Sequence, residues 1–312
     1  MPELPDVEAY CTALRREIGG STLLWIQIDH PFLLRSVHTQ PDEALGGIVE
    51  SVIRAGKRIV VSLDNGVSLA IHLMVAGRLK WHASTTGAPE PAARRTGGAR
   101  SPVLARFGFS TGELALTEAG SRRRASLHVV RADELAALRP ASMEILAPDA
   151  SVKRFAALLR RENHTIKRSL TDPRLFSGIG NSYSDEILFA ARMSPFAMTQ
   201  SLSDNEIDRL FHAAAATLSE WRDRFVAAAE EAFPSKVTAF MPQMNVHGKY
   251  NQPCPVCGTP VQRIRYAENE CNYCAQCQTG GKVYADRALS RLLKSDWPRT
   301  VEELEKLGRP PE

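Results

Sequence analysis

The spacing of apolar positions changes character near the middle of the chain. Over residues 4–18, Val7, Cys11, Leu14 and Ile18 recur at helical spacing, and Gly19-Gly20 ends the run. Cys11 lies on that apolar stripe, which makes it a buried structural thiol. The period then drops to two. Segments 22–28, 49–54, 58–63 and 67–73 read as strands, with Asp64-Asn65-Gly66 as a tight hairpin turn. Strands resume at 103–109, 113–117 and 126–130, and so many short strands predict a β-sandwich. Between the two groups, residues 84–102 are rich in Gly, Pro, Ala and Thr. They read as a mobile loop, to which Arg94, Arg95 and Arg100 add positive charge.

Residues 140–149 have the composition of a linker, and beyond them the pattern is helical. An amphipathic helix is predicted over 151–161. Ser203-Asp204-Asn205-Glu206 is a capping box that opens a long helix running to about residue 231. Between these lies Gly178-Ile179-Gly180-Asn181-Ser182, a glycine turn that leads into a helix over 183–191. Such a turn is either a plain connection or a cradle whose exposed amides hold a phosphate. Lys153, Arg154, Arg160, Arg161, Lys167, Arg168 and Arg174 cluster around it. Cations so placed suit a DNA backbone, although a charge run also serves as a solvated face. After residue 281 the chain predicts a short helix at 288–294, then Trp297-Pro298 and an acidic tail.

Composition narrows the class. The 312 residues, 44% hydrophobic and 24% charged, have room for about two domains with their own cores. No apolar run approaches the ~20 residues of a membrane span. The acidic, proline-containing start lacks the basic and apolar parts of a secretory signal. These features predict a cytoplasmic protein, nucleoid-associated if the source is bacterial. A net charge of +4 permits nucleic acid as partner without requiring it.

Five of the six cysteines crowd into 254–277. Cys254-Pro-Val-Cys257 and Cys274-Ala-Gln-Cys277 are two C-x2-C pairs separated by sixteen residues. That spacing lets four thiolates hold one tetrahedral zinc with a hairpin between them. Cys271 lies three residues before Cys274, so a shifted pairing is the alternative. Cys274 with Cys277 is preferred, because Gln278-Thr279-Gly280-Gly281 offers an exit turn.

The first residues, Met1-Pro2-Glu3-Leu4-Pro5-Asp6-Val7, carry candidate chemistry. Pro2 is small enough for Met1 to be removed beside it. That would expose a secondary amine, a nucleophile towards an aldehyde-level carbon, with the Glu3 carboxyl alongside to move protons. Free α-amines titrate near ~7.7–8.0, so much of such an amine is neutral at working pH. Helix capping is the other reading of the same residues.

Four pieces follow one another in a familiar order. They are Pro2-Glu3-Leu4-Pro5 with Val7-Glu8, Gly56-Lys57, Gly178-Ile179-Gly180-Asn181-Ser182-Tyr183 with Asp185-Glu186, and the two cysteine pairs. On these the chain resembles the formamidopyrimidine-DNA glycosylase and endonuclease VIII family of base-excision repair enzymes, over roughly residues 2–278. The resemblance implies a multi-domain α+β protein. It would comprise an N-terminal helix plus β-sandwich (2–135), a helix-two-turn-helix domain (150–235) and a zinc β-hairpin (245–281), followed by an extension (282–312) of unassigned role. It implies a bifunctional glycosylase and abasic-site lyase acting on oxidatively damaged bases in DNA. Pro2 would be the nucleophile, Glu3 the proton shuttle and Lys57 a phosphate ligand that assists. Lys167 and Asn181 would hold the DNA backbone, with Arg124 and Tyr183 as further DNA contacts. One structural zinc would sit on Cys254, Cys257, Cys274 and Cys277, with no catalytic cofactor and a monomeric protein. A zinc-containing binder of abasic or bent DNA without catalysis is the competing reading, and a lyase with weak base excision is a second.

Departures from the family pattern fall on lesion reading. Asn269 stands where one branch has an arginine near the hairpin tip. Val75 occupies the slot of a void-filling methionine, with Met74 one place early. Arg122, Arg123 and Arg124 replace an Arg-Arg-Phe segment, Ala125 takes the phenylalanine slot, and Asp6 replaces a glutamate.

Overall fold

The computed structural model describes residues 1–84, 89–90, 101–119, 122–138, 141–234, 237–266, 269–284 and 298–303. Arg94, Arg95, Arg100 and the helix expected at 288–294 lie outside the described residues. The chain forms two compact units, Met1–Ala141 with Ser219–Thr238, and Ser142–Leu218 with Ala239–Glu312.

In the first unit, α1 (Leu4–Ile18) starts at Glu3 as N-cap and stops at Gly19. Strands β1 (Leu23–Ile28), β2 (Val49–Ala55), β3 (Arg58–Leu63), β4 (Val67–His72), β5 (Gly77–Ala83), β6 (Val103–Phe109), β7 (Gly112–Glu118) and β8 (Ser126–Arg131) follow. They form two antiparallel sheets, ordered β1-β6-β7-β5 and β2-β3-β4-β8. Alternation sends Ile59, Val61 and Leu63 of β3 and Leu69 and Ile71 of β4 into one core. There they join Phe107, Leu114 and Leu116 of the first sheet and Tyr10, Leu14 and Ile18 of α1. Each such side chain taken out of water contributes about 1.5–3 kcal/mol. The other face of the second sheet is covered by α2 (Ala132–Leu138), whose Leu135 packs on Val60, Ala70 and Val130. Burial on both faces explains why Val60 and Ala70 are apolar too, with Ser62 and Ser68 hydrogen-bonded to each other on that second face.

Two elements lie outside the strands and helices expected from the sequence. The chain enters β5 through Met74 at φ +51 rather than through an Asn-Gly signal. A Cβ at Gly77 would meet the Leu73 carbonyl oxygen at 2.2 Å, so glycine is required there. Within β5, Leu79 and Trp81 alternate with Arg78, Lys80 and His82, a period of two that marks one face as buried. The other element, α2, has seven residues, too few to reveal a helical period.

In the second unit, α3 (Val152–Leu159) begins at Ser151, whose hydroxyl accepts the Arg154 amide. Then come α4 (Ile166–Thr171), α5 (Asn181–Ala190) and α6 (Asp204–Glu231). The residues of α6 up to Leu218 belong to this unit and those from Ser219 to the first. Phe155 packs against Phe176 and Phe211 with ring centroids 4.7 and 5.6 Å apart. The hairpin β9 (Gln262–Tyr266) and β10 (Asn269–Tyr273) pairs Ile264 with Cys271. A short helix, α7 (Ala275–Thr279), follows and ends at left-handed Gly280. The exit turn expected at 278–281 is therefore the end of this helix. Among the described residues, no helix is long and apolar enough to cross a membrane.

Candidate functional site

The first unit gathers charge around the amino terminus. At the start of α1 the Glu3 amide donates to Asp6 Oδ2 at 2.8 Å. Pro2 is buried, and Glu3 and Asp6 are only 2% and 5% exposed. The Asp6 carboxyl is pushed up to about 7, first by burial, then by the charge of Glu3, against the amide bond that favours ionisation. The terminal amine, carried here by Met1, is held below its ordinary basicity. Burial is the main cause and the cations Arg78 and Lys57 add to it, while Glu3 and Asp6 oppose.

Lys57 follows Gly56 in the β2–β3 turn, where Gly56 takes φ +63. Arg54 secures that turn. Its Nε donates to Glu8 Oε1 of α1 at 2.8 Å and its Nη1 to the Gly56 carbonyl at 2.9 Å. Burial lowers the Lys57 ammonium pKa, and the charge of Glu3 works in the other direction. Lys57, far from Pro2 and Glu3 in sequence, thus shares one corner of the unit with them.

Arg78 is a member not expected from the sequence, because its place beside the amino terminus depends on a long-range contact. Its Nη1 donates to the Gly77 and Val75 carbonyls at 2.7 and 3.2 Å. It therefore holds the turn that carries Val75, which is 54% exposed. The arginine loop after β7 is pinned by buried Glu118, whose Oε2 accepts the amides of Arg124 and Ala125 at 2.9 Å each. Arg124 is exposed, whereas Arg123 donates to the Ser101 carbonyl at 2.6 Å. Ala125 is part of the hydrophobic core and presents no wedge.

The second unit carries the remaining site residues. Gly178 takes φ +80, and Gly180 caps α5 so that Asn181 is its first residue, half-exposed. The Lys167 ammonium donates to the Asn181 carbonyl and Ser184 Oγ at 3.1 Å each and to Asp185 Oδ1 at 2.5 Å, which ties α4 to the start of α5. Tyr183 is 2% exposed, so its side chain is packed inside the unit. Asp185 and Glu186 are both buried. Glu186 accepts the amides of Asn245, Val246 and His247 and the Asn245 side chain, all at 2.8–2.9 Å. Asp185 Oδ2 meets His247 Nδ1 at 2.8 Å and accepts the Asn272 amide at 3.1 Å. These two carboxylates latch the hairpin and the segment before it onto α5.

The sulfurs of Cys254, Cys257, Cys274 and Cys277 lie within 4.8 Å of one another. Cys254 is 3.9 Å from Cys277, and Cys257 is 3.4 Å from Cys274. A tetrahedron of Zn–S bonds of about 2.3 Å has edges of roughly 3.8 Å, so the donor set and its spacing fit zinc. Cys271 lies outside the cluster, buried with Ile264 and Tyr273, so the preferred pairing of Cys274 with Cys277 holds.

A helix-fed pair of sheets, a helix-two-turn-helix and a four-thiol hairpin together have the fold of the DNA glycosylases built on that motif. Comparison with known proteins agrees. Residues 1–126 match the formamidopyrimidine-DNA glycosylase N-terminal domain, and residues 142–221 match the H2TH domain of the same enzymes. The chain belongs to the formamidopyrimidine-DNA glycosylase family. The formamidopyrimidine-DNA glycosylase of Desulfitobacterium hafniense is 30% identical over 291 residues, covering 89% of this chain and all of that protein. An uncharacterized formamidopyrimidine-DNA glycosylase-like protein of Mycobacterium tuberculosis is 41% identical over 152 residues, which cover 48% of this chain and 94% of that one. Among solved structures, the Lactococcus lactis enzyme bound non-covalently to DNA with an abasic site superposes with a TM-score of 0.74. The match covers 89% of this chain and 99% of that one at 22% identity, and it speaks to the fold.

Proposed function

We propose that the chain is a bifunctional DNA glycosylase and abasic-site lyase that uses its own amino terminus as nucleophile. The observation that carries this reading is the burial of that terminus among Glu3, Asp6, Lys57 and Arg78, with its amine held less basic than usual. Burial of this kind favours the neutral form of an amine, which is the nucleophilic one. Loss of Met1 would move the amine to Pro2, directly beside Glu3.

The chemistry follows from those groups. The Pro2 nitrogen attacks C1′ of the damaged nucleoside. As the N–C1′ bond forms, the bond from C1′ to the base breaks and the base leaves with a proton. Glu3 passes a proton to the sugar ring oxygen during ring opening, which leaves an iminium between Pro2 and C1′. The iminium acidifies C2′. Loss of a C2′ proton expels the 3′ phosphate and nicks the strand. Lys57 binds phosphate beside the lesion, and Asn181 with Lys167 braces the glycine turn that meets the backbone. Arg124, exposed like Arg122, is the arginine we assign to the space left by a flipped base. Zinc on the four thiolates is structural and closed, holding the hairpin without entering the reaction.

With Asp6, Val75, Ala125 and Asn269 in place, 8-oxoguanine specificity does not follow from the family, and an altered lesion preference is the reading to test. Oxidised pyrimidines, further-oxidised guanines and single-stranded lesions are the candidates. Borohydride trapping on abasic-site DNA tests the reaction. Wild type forms a covalent adduct and Pro2→Gly forms none. Absence of an adduct from chain whose Met1 has been removed would make the protein a binder. A panel of single-lesion duplexes tests the preference, and dominant excision of 8-oxoguanine opposite cytosine would refute it.

A further inference from the structure

The segment after the cysteine knuckle lies beyond the motifs that define the family, yet it is built into the zinc hairpin. The two faces of β9–β10 differ sharply. Cross-strand pairing sets Arg263 opposite Asn272 and Arg265 opposite Glu270 on one face, and Ile264 opposite Cys271 and Gln262 opposite Tyr273 on the other. A lone two-stranded hairpin is marginal in water, and one with an apolar face needs a further layer. Here that layer comes from Phe196, 5.5 Å from the Tyr273 ring, and from the chain's own C-terminal extension.

The extension meets the apolar face at two places. Residues 281–283 pair with 299–301 in a short ladder. Val283 donates to the Arg299 carbonyl at 2.9 Å, Val301 donates to that of Gly281 at 3.2 Å, and Lys282 bridges to Thr300. This ladder puts Val283, Tyr284 and Val301 into one apolar cluster with Ile264, Cys271, Tyr273 and Ala275. The Tyr284 ring packs on Phe196 at 4.4 Å and lies 6.3 Å from Tyr273, and the Tyr284 amide donates to the Tyr273 hydroxyl at 2.9 Å. Lys282 Nζ sits 4.8 Å over the same ring. Tyr273 immediately precedes the thiolate Cys274, so the clamp acts on the backbone next to a zinc ligand.

We propose that the extension is a clamp on the zinc hairpin, with Tyr284 and Val301 as positioning residues that hold β10 and Cys274 in place. The clamp keeps the hairpin ordered before DNA arrives, so that its order need not be created on binding. The inference about zinc rests on the chain's own thiols, and the inference about DNA rests on the function proposed above.

The test uses the zinc-loaded full chain, Tyr284→Ala, Tyr284→Phe, Val301→Asp and a chain ended at Gly281. Three quantities are read: zinc transfer to a colorimetric chelator, hydrogen exchange of the β10 amides, and affinity for a duplex carrying a stable abasic analogue. Loss of the ring in Tyr284→Ala should speed zinc transfer and β10 exchange about tenfold and weaken DNA binding by a similar factor. Borohydride trapping at saturating DNA should stay within about twofold, because the clamp acts on the hairpin and not on the amine. Tyr284→Phe keeps the ring and should behave as wild type. Val301→Asp and the shortened chain should match or exceed the effect of Tyr284→Ala. Should the shortened chain fail to fold, the two Tyr284 variants decide. Unchanged zinc transfer and β10 exchange in Tyr284→Ala would overturn the clamp. If wild type forms no trapped adduct, the glycosylase reading fails while the zinc and exchange measurements still judge this one.

Discussion

Each unit buries a pair of acidic side chains near a helix start, and the two pairs have opposite characters. Asp185 and Glu186 in α5 are saturated. Glu186 alone accepts four N–H groups, and Asp185 faces an ammonium, an imidazole and an amide. Glu3 and Asp6 at α1 are equally buried and cap each other, the Glu3 carboxylate accepting the Asp6 amide and Asp6 accepting one hydrogen bond, from the Glu3 amide. Its carboxyl is driven up to about 7, and the neighbouring amine and Lys57 are driven down. Burial alone therefore does not make a reactive site. Donors around a carboxylate turn it into a latch, and a single donor against strong desolvation, as at Asp6, leaves it poised to exchange protons.

Four measurements would break or sharpen that contrast, beginning with the largest effect. Glu3→Gln should slow base excision about 10²–10⁴-fold at nearly unchanged stability, as loss of a proton shuttle does. Single-turnover kinetics beside a thermal melt would check it, and an equal fall in both would make Glu3 a structural cap. Glu186→Ala should act the other way round. It strands several buried N–H groups at about 1–3 kcal/mol each, so urea denaturation should show a large loss of stability. Unchanged stability would mean that the latch is idle.

Asp6 supplies the third test. Its pKa is higher folded than unfolded, so between about pH 4 and 7 the folded state binds more protons. The stability that Asp6 contributes is complete below the unfolded value and is lost as pH rises through about 7. Urea titrations at pH 5 and pH 8 should show this decline, and Asp6→Asn should flatten it. The smallest effect concerns thiols. Cys271→Ser should keep a full zinc complement, while Cys274→Ser should lose it and bind DNA more weakly. Metal analysis separates them, and normal zinc in Cys274→Ser would move the site to Cys271.

Much of the fold was legible because its signals are local. The period of α1, the alternation of β3 and β4 and the capping box of α6 each need only a few adjacent residues. The candidate site was legible where it is a motif, as in Pro2-Glu3, Gly56-Lys57, the glycine turn and the C-x2-C pairs. It was illegible where a role depends on what a side chain meets. Tyr183 falls within the glycine-turn motif but is a core residue. Ala125 looks like an emptied wedge position but belongs to the core. Arg78 sits in a strand that a non-glycine turn introduced, and its neighbours, the amino terminus and Asp6, come from the far end of the unit's sequence.

The sequence by itself determined the order of elements, the four thiols and the chemical type of the amino terminus. All of these follow from residue identity and short-range spacing. The tertiary structure alone decided which acids are saturated and which are poised. It also decided that Arg78 joins the amino terminus and that the C-terminal extension covers the hairpin's apolar face. Those outcomes depend on desolvation and on partners brought from distant parts of the chain, and neither is written in local sequence.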